Sequence, residues 1–277
     1  MDRVRPVLDP FTASDGLVLH RSRFEPDGPP FGDLLLGHGI GESSSRYHQA
    51  ARAFAAAGWR TVAWDLRGHG RSGGPRTHVE RWGRLHDDLA EQVEALHQPG
   101  RPVVVVGHSL GGLIAFGAAA AGRIRPDRLV LSAPALDADI AAWKRLAAPL
   151  LARLLPRLRI PTGIGADTDP GEQLEVEEAD APPYLRDATA RFGDEAFRAQ
   201  AAARAVVAAG GDFPVPTLVI HGDRDRLVRP EWCAPIGTLG NVDYVPLPGF
   251  NHHPFATRQY RVAVDRILGF IGRRVPR

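Results

Sequence analysis

Residues 103–112 read Val-Val-Val-Val-Gly-His-Ser-Leu-Gly-Gly, an unbroken β-branched run that stops at a serine framed by Gly107 and Gly111. Four consecutive valines favour an extended segment buried on both faces, and the small apolar residues that follow read as a helix. A Gly-x-Ser-x-Gly corner between strand and helix, a nucleophile elbow, holds its serine in a strained conformation with the hydroxyl at the sheet edge. Glycine at 107 and 111 omits side chains that would collide where strand and helix cross. The same ten residues also fit an ordinary glycine-rich turn of any α/β protein, so the rest of the chain decides between a reactive serine and a structural one.

On either side of this corner, strand and helix patterns alternate. Strand signals fall at 17–24, 33–36, 60–65, 102–106, 128–132, 217–221 and 242–247, and helix signals at 46–57, 82–96, 110–121 and 258–273. Gly58 is placed to end the first helix, and Leu85, Leu89, Val93 and Leu96 give the second its apolar stripe. Such alternation means a mostly parallel central sheet with helices on both faces. It lapses from about 137 to 212, where an Arg/Leu-rich helix, a Pro/Gly/acidic loop at 161–183 and an Ala-rich helix at about 193–209 follow one another. The expected division is therefore a core of residues 1–136 and 213–277 with an inserted helical cap, 137–212, over the C-terminal edge of the sheet.

In the cap, Trp143, Leu146, Ala147, Leu150, Leu151, Leu154, Leu155 and Leu158 recur at three- and four-residue steps, with Lys144, Arg145, Arg153 and Arg157 elsewhere on the surface. Most such stripes pack on their own domain. The alternative is a lid whose apolar face lines an acyl pocket or touches a lipid surface, aided by the basic residues. Pro149 and Pro156 are expected to kink or break this helix.

Composition narrows the function classes. With 44% hydrophobic residues, 277 residues can fill a sizeable core. Basic and acidic residues are interspersed, giving a net charge of +2 without a basic run, which argues against a nucleic-acid partner. The single cysteine, Cys233, excludes an internal disulfide and argues for a packing role. No His-Glu-x-x-His or other clustered ligand spacing suggests metal catalysis, and no cofactor is implied. The first six residues contain no apolar leader and no stretch reaches 18 apolar residues, so a cytoplasmic protein is expected.

A serine hydroxyl is a poor nucleophile until a base takes its proton, and the base needs a carboxylate to fix its tautomer and stabilise the imidazolium. An elbow predicts an acid and then a histidine downstream. Asp223 and Asp225 follow the strand at 217–221, and His252 and His253 follow the strand at 242–247. All lie at C-terminal strand ends, where open α/β sheets place their sites. A rival reading starts from residues 37–42, Gly-His-Gly-Ile-Gly-Glu, with Asp65 about 24 residues beyond Gly41, near the spacing of a dinucleotide-binding fingerprint. Its third glycine position carries Glu42, however, and it leaves the elbow, the acids and the histidines unexplained.

Five blocks carry a family resemblance: His38-Gly39-Ile40-Gly41-Glu42-Ser43 with Arg46-Tyr47, residues 65–72 from Asp65 through Ser72, Gly107 to Gly112, His221 to Asp225, and Pro248 to His252. The chain resembles α/β-hydrolase-fold serine hydrolases, within them the monoacylglycerol lipase and lysophospholipase-like branch. The blocks run in family order over nearly the whole chain, with the cap matched loosely. The resemblance implies an α/β-hydrolase fold with Ser109 as nucleophile. Its His-Gly-x-x-Asp pattern selects Asp225 over Asp223 as the acid, and Gly-x-x-His selects His252 over His253 as the base. It also implies an oxyanion hole from the backbone N–H groups of Leu110 and Ile40. His69 and His108 are expected to brace loops around the site, and His38 to be structural. His253-Pro254 departs from the acidic or apolar residue that often follows the family's histidine.

The implied activity is carboxylic ester hydrolysis through an acyl-enzyme, with monoacylglycerols, lysophospholipids or related acyl esters as substrates. Small esters and short peptides are alternatives, because fold and triad do not fix the leaving group. A non-catalytic ligand-binding protein of the same fold is the reading from another class, and it usually goes with loss of a triad member.

Overall fold

The valines of residues 103–106 are buried on both sides, because the strand they form lies in the middle of the sheet. The computed structural model describes residues 6–163 and 182–272. In chain order these form β1 (Val7–Leu8), β2 (Phe11–Thr12), β3 (Val18–Leu19), β4 (Arg21–Phe24), β5 (Gly32–Gly37), α1 (His48–Ala56), β6 (Trp59–Trp64), α2 (Gly83–Leu96), β7 (Val103–His108), α3 (Leu110–Ala120) and β8 (Arg128–Ser132). There follow α4 (Ala142–Leu154), β9 (Arg159–Pro161), β10 (Asp187–Thr189), α5 (Ala190–Ala209), β11 (Asp212–Gly222), α6 (Pro230–Cys233), β12 (Gly240–Leu247) and α7 (Tyr260–Ile271).

Eight strands form one sheet in the order β1-β4-β6-β5-β7-β8-β11-β12. The pairs β1–β4 and β4–β6 are antiparallel, and every other pair is parallel. Side chains alternate across the two faces. Leu35, Val103 and Val105 join Leu85, Leu89 and Leu113 of α2 and α3, whereas Leu34, Leu36, Val104 and Val106 join Phe54, Val264 and Ile267 of α1 and α7. Both faces are covered, so the middles of these strands are apolar; the polar residues, the ion-paired Asp33 and His108, fall near their ends. This is the mostly parallel, doubly covered sheet expected from the strand and helix pattern, and it fits the α/β-hydrolase fold that the resemblance implies.

Between β8 and β11 the alternation breaks, as expected. Helix α4 packs against α5, and α5 against α3. The Ala-rich helix begins at Ala190 rather than near 193, because Thr189 caps it: its Oγ1 accepts the Phe192 N–H at 3.2 Å. Helix α4 is not broken at Pro149, which lies inside it; it stops at Leu154, with Leu155 as a non-helical cap immediately before Pro156. A proline ring disfavours helical geometry in the preceding residue, so Pro156 terminates what Pro149 does not. The antiparallel pair β9–β10 has no counterpart in the sequence reading. The Thr77 Oγ1–H donates to Asp187 O at 2.7 Å and the Thr189 N–H to Thr77 O at 3.1 Å, fastening this pair and the start of α5 to the loop before α2. Most of the Pro/Gly/acidic loop at 161–183 lies outside the described residues.

Candidate active site

Ser109 occupies the corner between β7 and α3 with φ 50° and ψ −111°. A left-handed conformation in a non-glycine residue costs about 1–3 kcal/mol and persists only where the surroundings enforce it. Here the Ser109 N–H donates to Ser132 O at 2.9 Å, and Ser109 O accepts the N–H groups of Leu113 and Ala135, each at 3.0 Å. The flanking glycines are obligatory. A Cβ at Gly107 would lie 2.5 Å from Gly111 O, and one at Gly111 would lie 2.7 Å from Gly37 O. Leu110 opens α3, so its N–H is among those without an intrahelical acceptor. Ile40 sits on the loop after β5, and both residues border the same cavity as Ser109.

The acid and the histidine come together across two loops. Loop 223–228 follows β11 and loop 248–253 follows β12, and these two strands are parallel neighbours. His252 Nδ1–H donates to Asp225 Oδ2 at 2.6 Å, leaving Nε2 as the ring's acceptor. The same oxygen lies 3.1 Å from His221 Nε2, which also lies 2.8 Å from Val228 O. Because both of those neighbours are acceptors, His221 carries its proton on Nε2. Asp225 Oδ1 accepts the N–H groups of Leu227 at 2.8 Å and Val228 at 3.0 Å. Burial opposes ionisation of Asp225, but the His252 ring, hydrogen bonds from His221 and His252 and the Val228 amide outweigh it. The carboxyl is held well below the usual carboxylate range.

Asp223 is exposed, and its Oδ1 accepts the Gly249 N–H at 2.7 Å, so the structure brings Asp225 and not Asp223 to His252. His38 is structural as expected, with Nδ1 2.7 Å from Gly39 O and Nε2 accepting the Leu66 N–H at 2.9 Å. His69 Nδ1–H donates to Arg67 O at 3.0 Å. Asp65 accepts the N–H groups of Ser44 at 2.6 Å and Arg71 at 2.7 Å, so the acid of the dinucleotide reading is engaged in tying loops together. Cys233 Sγ–H donates to Pro134 O at 3.0 Å, and burial pushes the thiol up to about 12, as suits a packing residue.

Sequence reasoning missed His221 as a partner of Asp225, although it opens the His-Gly-x-x-Asp block. It also missed a second buried group, in which Glu42 Oε2 accepts the Gly39 N–H at 2.9 Å and a short hydrogen bond from the Tyr47 hydroxyl. Glu42 Oε1 lies 3.1 Å from Arg46 Nε and 3.3 Å from His253 Nδ1. Burial disfavours the charged form of Glu42, but Arg46, His253, His108 and the Tyr47 hydroxyl more than offset it and keep the carboxyl well below its usual range. Burial in turn lowers His253 to about 4.

Ser109 and His252 face one cavity of about 370 Å³, walled by Leu113 of α3, Ala147 and Leu151 of α4, Ile160 of β9, and Phe192 and Phe197 of α5. That volume and its apolar lining suit a small-molecule site. The outer face of α4 points to solvent: Trp143 is 66% exposed, Leu146 81% and Leu150 61%. Helix α4 thus divides its apolar residues between the cavity and the surface.

The profile of the serine aminopeptidase S33 family matches residues 28–234. The chain belongs to that family. It is 31% identical over 275 residues to the monoacylglycerol lipase of Mycolicibacterium smegmatis, covering 94% of this chain and 95% of the relative. It is likewise 31% identical over 224 residues to human monoglyceride lipase, covering 77% and 72%. Among solved structures, a monoacylglycerol lipase from Paleococcus ferrophilus superposes with a TM-score of 0.75 at 24% identity, covering 91% of this chain and 99% of that one. A soluble variant of the Saccharomyces cerevisiae monoglyceride lipase, solved with a substrate analogue, gives 0.78 at 19% identity, covering 98% and 96%. The chain is a monoacylglycerol-lipase-like carboxylic ester hydrolase of the α/β-hydrolase fold.

Proposed function

We propose that this enzyme cleaves monoacylglycerols or closely related acyl esters through an acyl-enzyme on Ser109, with residues 137–212 acting as a cap on a core of 1–136 and 213–277. The observation that carries the reading is the His252–Asp225 hydrogen bond of 2.6 Å, at the edge of the apolar cavity that also holds the strained Ser109. His252 Nε2 takes the Ser109 proton as Oγ attacks the ester carbonyl, and Asp225 stabilises the imidazolium that results. The N–H groups of Leu110 and Ile40 receive the charge that develops on the carbonyl oxygen. His252 then returns the proton to the departing alcohol, and water, activated by the same ring, releases the acid.

The cavity favours an apolar acyl group over a peptide N-terminus. An α-ammonium needs a free carboxylate, and among the described residues the acids bordering the cavity, Glu42 and Asp137, are paired with Arg46 at 3.1 Å and with Arg145 at 2.5 Å. The exposed face of α4, with Lys144 beside Trp143, supports transient contact with the lipid surface where such substrates reside. No helix of the described residues is long and apolar enough to cross a membrane.

A chain-length series tests this. Monoacylglycerols and p-nitrophenyl esters from C2 to C16 are expected to show kcat/KM rising with acyl length to an optimum, with aminoacyl p-nitroanilides not cleaved. Turnover of the anilides above that of the esters would overturn the ester assignment. Replacing Leu146 and Leu150 together by serine is expected to weaken sedimentation with phosphatidylcholine vesicles while turnover of soluble p-nitrophenyl butyrate persists.

A further inference from the structure

Three buried polar atoms on the cavity wall, Glu42 Oε1, His108 Nε2 and His253 Nδ1, make no well-directed hydrogen bond, although Glu42 Oε1 is ion-paired with Arg46 and faces His253 Nδ1. They belong to three separate stretches, the loop after β5, the end of β7 and the loop after β12. Nevertheless, one ligand atom from each residue falls within 4.8 Å of the others. Glu42 Oε1 and His253 Nδ1 are 3.3 Å apart, the edge length of a tetrahedral site whose metal–ligand bonds are about 2.0–2.1 Å.

We propose that Glu42, His108 and His253 form a binding site for a divalent transition-metal ion, and that its occupancy inhibits ester hydrolysis. Two imidazoles and one carboxylate suit zinc and its neighbours, whereas calcium and magnesium favour all-oxygen sets. The ligands are already oriented by outer contacts. Ser132 Oγ lies 3.1 Å from His108 Nδ1, leaving Nε2 for the cluster. Gly39 N–H and the Tyr47 hydroxyl hold the other oxygen of Glu42. Such outer partners fix ring and carboxylate orientation at metal sites. Arg46 opposes entry, with its Nε 3.1 Å from Glu42 Oε1. For an ion to enter, the guanidinium must swing aside and the His108 ring must close inward, both of which lower the affinity.

Inhibition follows from position. Glu42 anchors the loop that carries Ile40 through the Gly39 N–H, 2.9 Å away. A dication on Oε1 draws electron density from the carboxylate and weakens the hydrogen bond that Oε2 accepts from Gly39, beside the candidate oxyanion hole. The rings of His108 and His253 lie 4.8 and 4.9 Å from that of His252. A dication there opposes the positive charge His252 gains on taking the Ser109 proton. The inhibitory consequence rests on the proposed hydrolase reading; the binding site does not.

The test uses Co²⁺ as a spectroscopic probe and Zn²⁺ as inhibitor on the full chain. Wild-type protein and Ser109→Ala are each expected to bind one Co²⁺ with a ligand-field absorption, so failure of the hydrolase reading leaves this readout intact. His253→Phe and His253→Gln are both expected to lose more than the 10–100-fold in Co²⁺ affinity that loss of an outer contact typically brings. Zn²⁺ is expected to depress wild-type hydrolysis of p-nitrophenyl butyrate at least about tenfold at saturation, reversibly with EDTA, and each His253 variant far less relative to its own metal-free rate. Absence of Co²⁺ binding, or equal binding by wild type and the folded His253 variants, overturns the site. Stoichiometric binding without inhibition overturns its inhibitory role.

Discussion

Asp225→Asn isolates the charge behind the histidine with little change of shape. All four partners of the Asp225 carboxylate are donors: the Leu227 and Val228 N–H groups on Oδ1, and His252 Nδ1–H and His221 Nε2–H on Oδ2. Asparagine supplies one accepting atom, so its NH₂ must confront one of these pairs. If it faces the backbone, two buried N–H groups lose their acceptor and the turn at 225–228 loosens. If it faces the rings, His252 must shift its proton to Nε2 and can no longer take one from Ser109. The lost attraction between a carboxylate and an imidazolium about 4 Å apart, at an effective dielectric of about 20, is about 4 kcal/mol. That corresponds to about 10³ in rate, and the wrong tautomer extends the expected loss in kcat to between about 10³ and 10⁴. The assay is steady-state hydrolysis of p-nitrophenyl butyrate at pH 7, with circular dichroism to verify folding. A folded Asp225→Asn protein within tenfold of wild type would refute the reasoning.

By contrast, Asp223→Asn keeps its acceptor for Gly249 and is expected to change kcat less than about threefold; a loss like that of Asp225→Asn would move the acid to 223. At Gly111 a methyl group would meet the carbonyl oxygens of Gly37 and His38 at 2.7 and 2.8 Å. Gly111→Ala is therefore expected to cost about 3 kcal/mol, or 6–12 °C in Tm, and an unchanged melting curve would contradict the close crossing. Burial lowers His69 to about 3. Its folded value lies below the unfolded value of about 6.5, so its share of stability is complete above pH 6.5 and declines as pH falls, by up to about 1.4 kcal/mol per unit. Urea titrations at pH 7, 6 and 5 are expected to show a steeper decline for wild type than for His69→Gln, and equal slopes would contradict the assignment.

What the sequence disclosed and what it hid divide along physical lines. The valine run at 103–106 and the leucines at 34–36 were legible as strands because the middle of a strand buried on both faces is a continuous apolar run. Ser109, Asp225 and His252 could be singled out as candidates because each sits in a short, dense motif whose glycines have a backbone reason, close contacts at Gly107, Gly111 and Gly222 and a positive φ at Gly249. The β9–β10 pair was not legible, since its three-residue strands are stabilised by Thr77, more than 100 positions away from Asp187. The Glu42, His108 and His253 cluster was hidden for the same reason: two loops and a strand end meet only after the sheet has formed. Periodicity in α4 marked an apolar stripe but held no information on what covers it, and Leu146 stayed in solvent while Leu151 turned to the cavity.

Labelling with a fluorophosphonate probe, followed by peptide mapping, tests most directly whether Ser109 is an activated nucleophile. One adduct per chain is expected, on the Ser109 Oγ, absent in Ser109→Ala and slowed at least about 10³-fold in His252→Ala. A folded protein that resists the probe, or that carries the adduct on another side chain, would contradict the account.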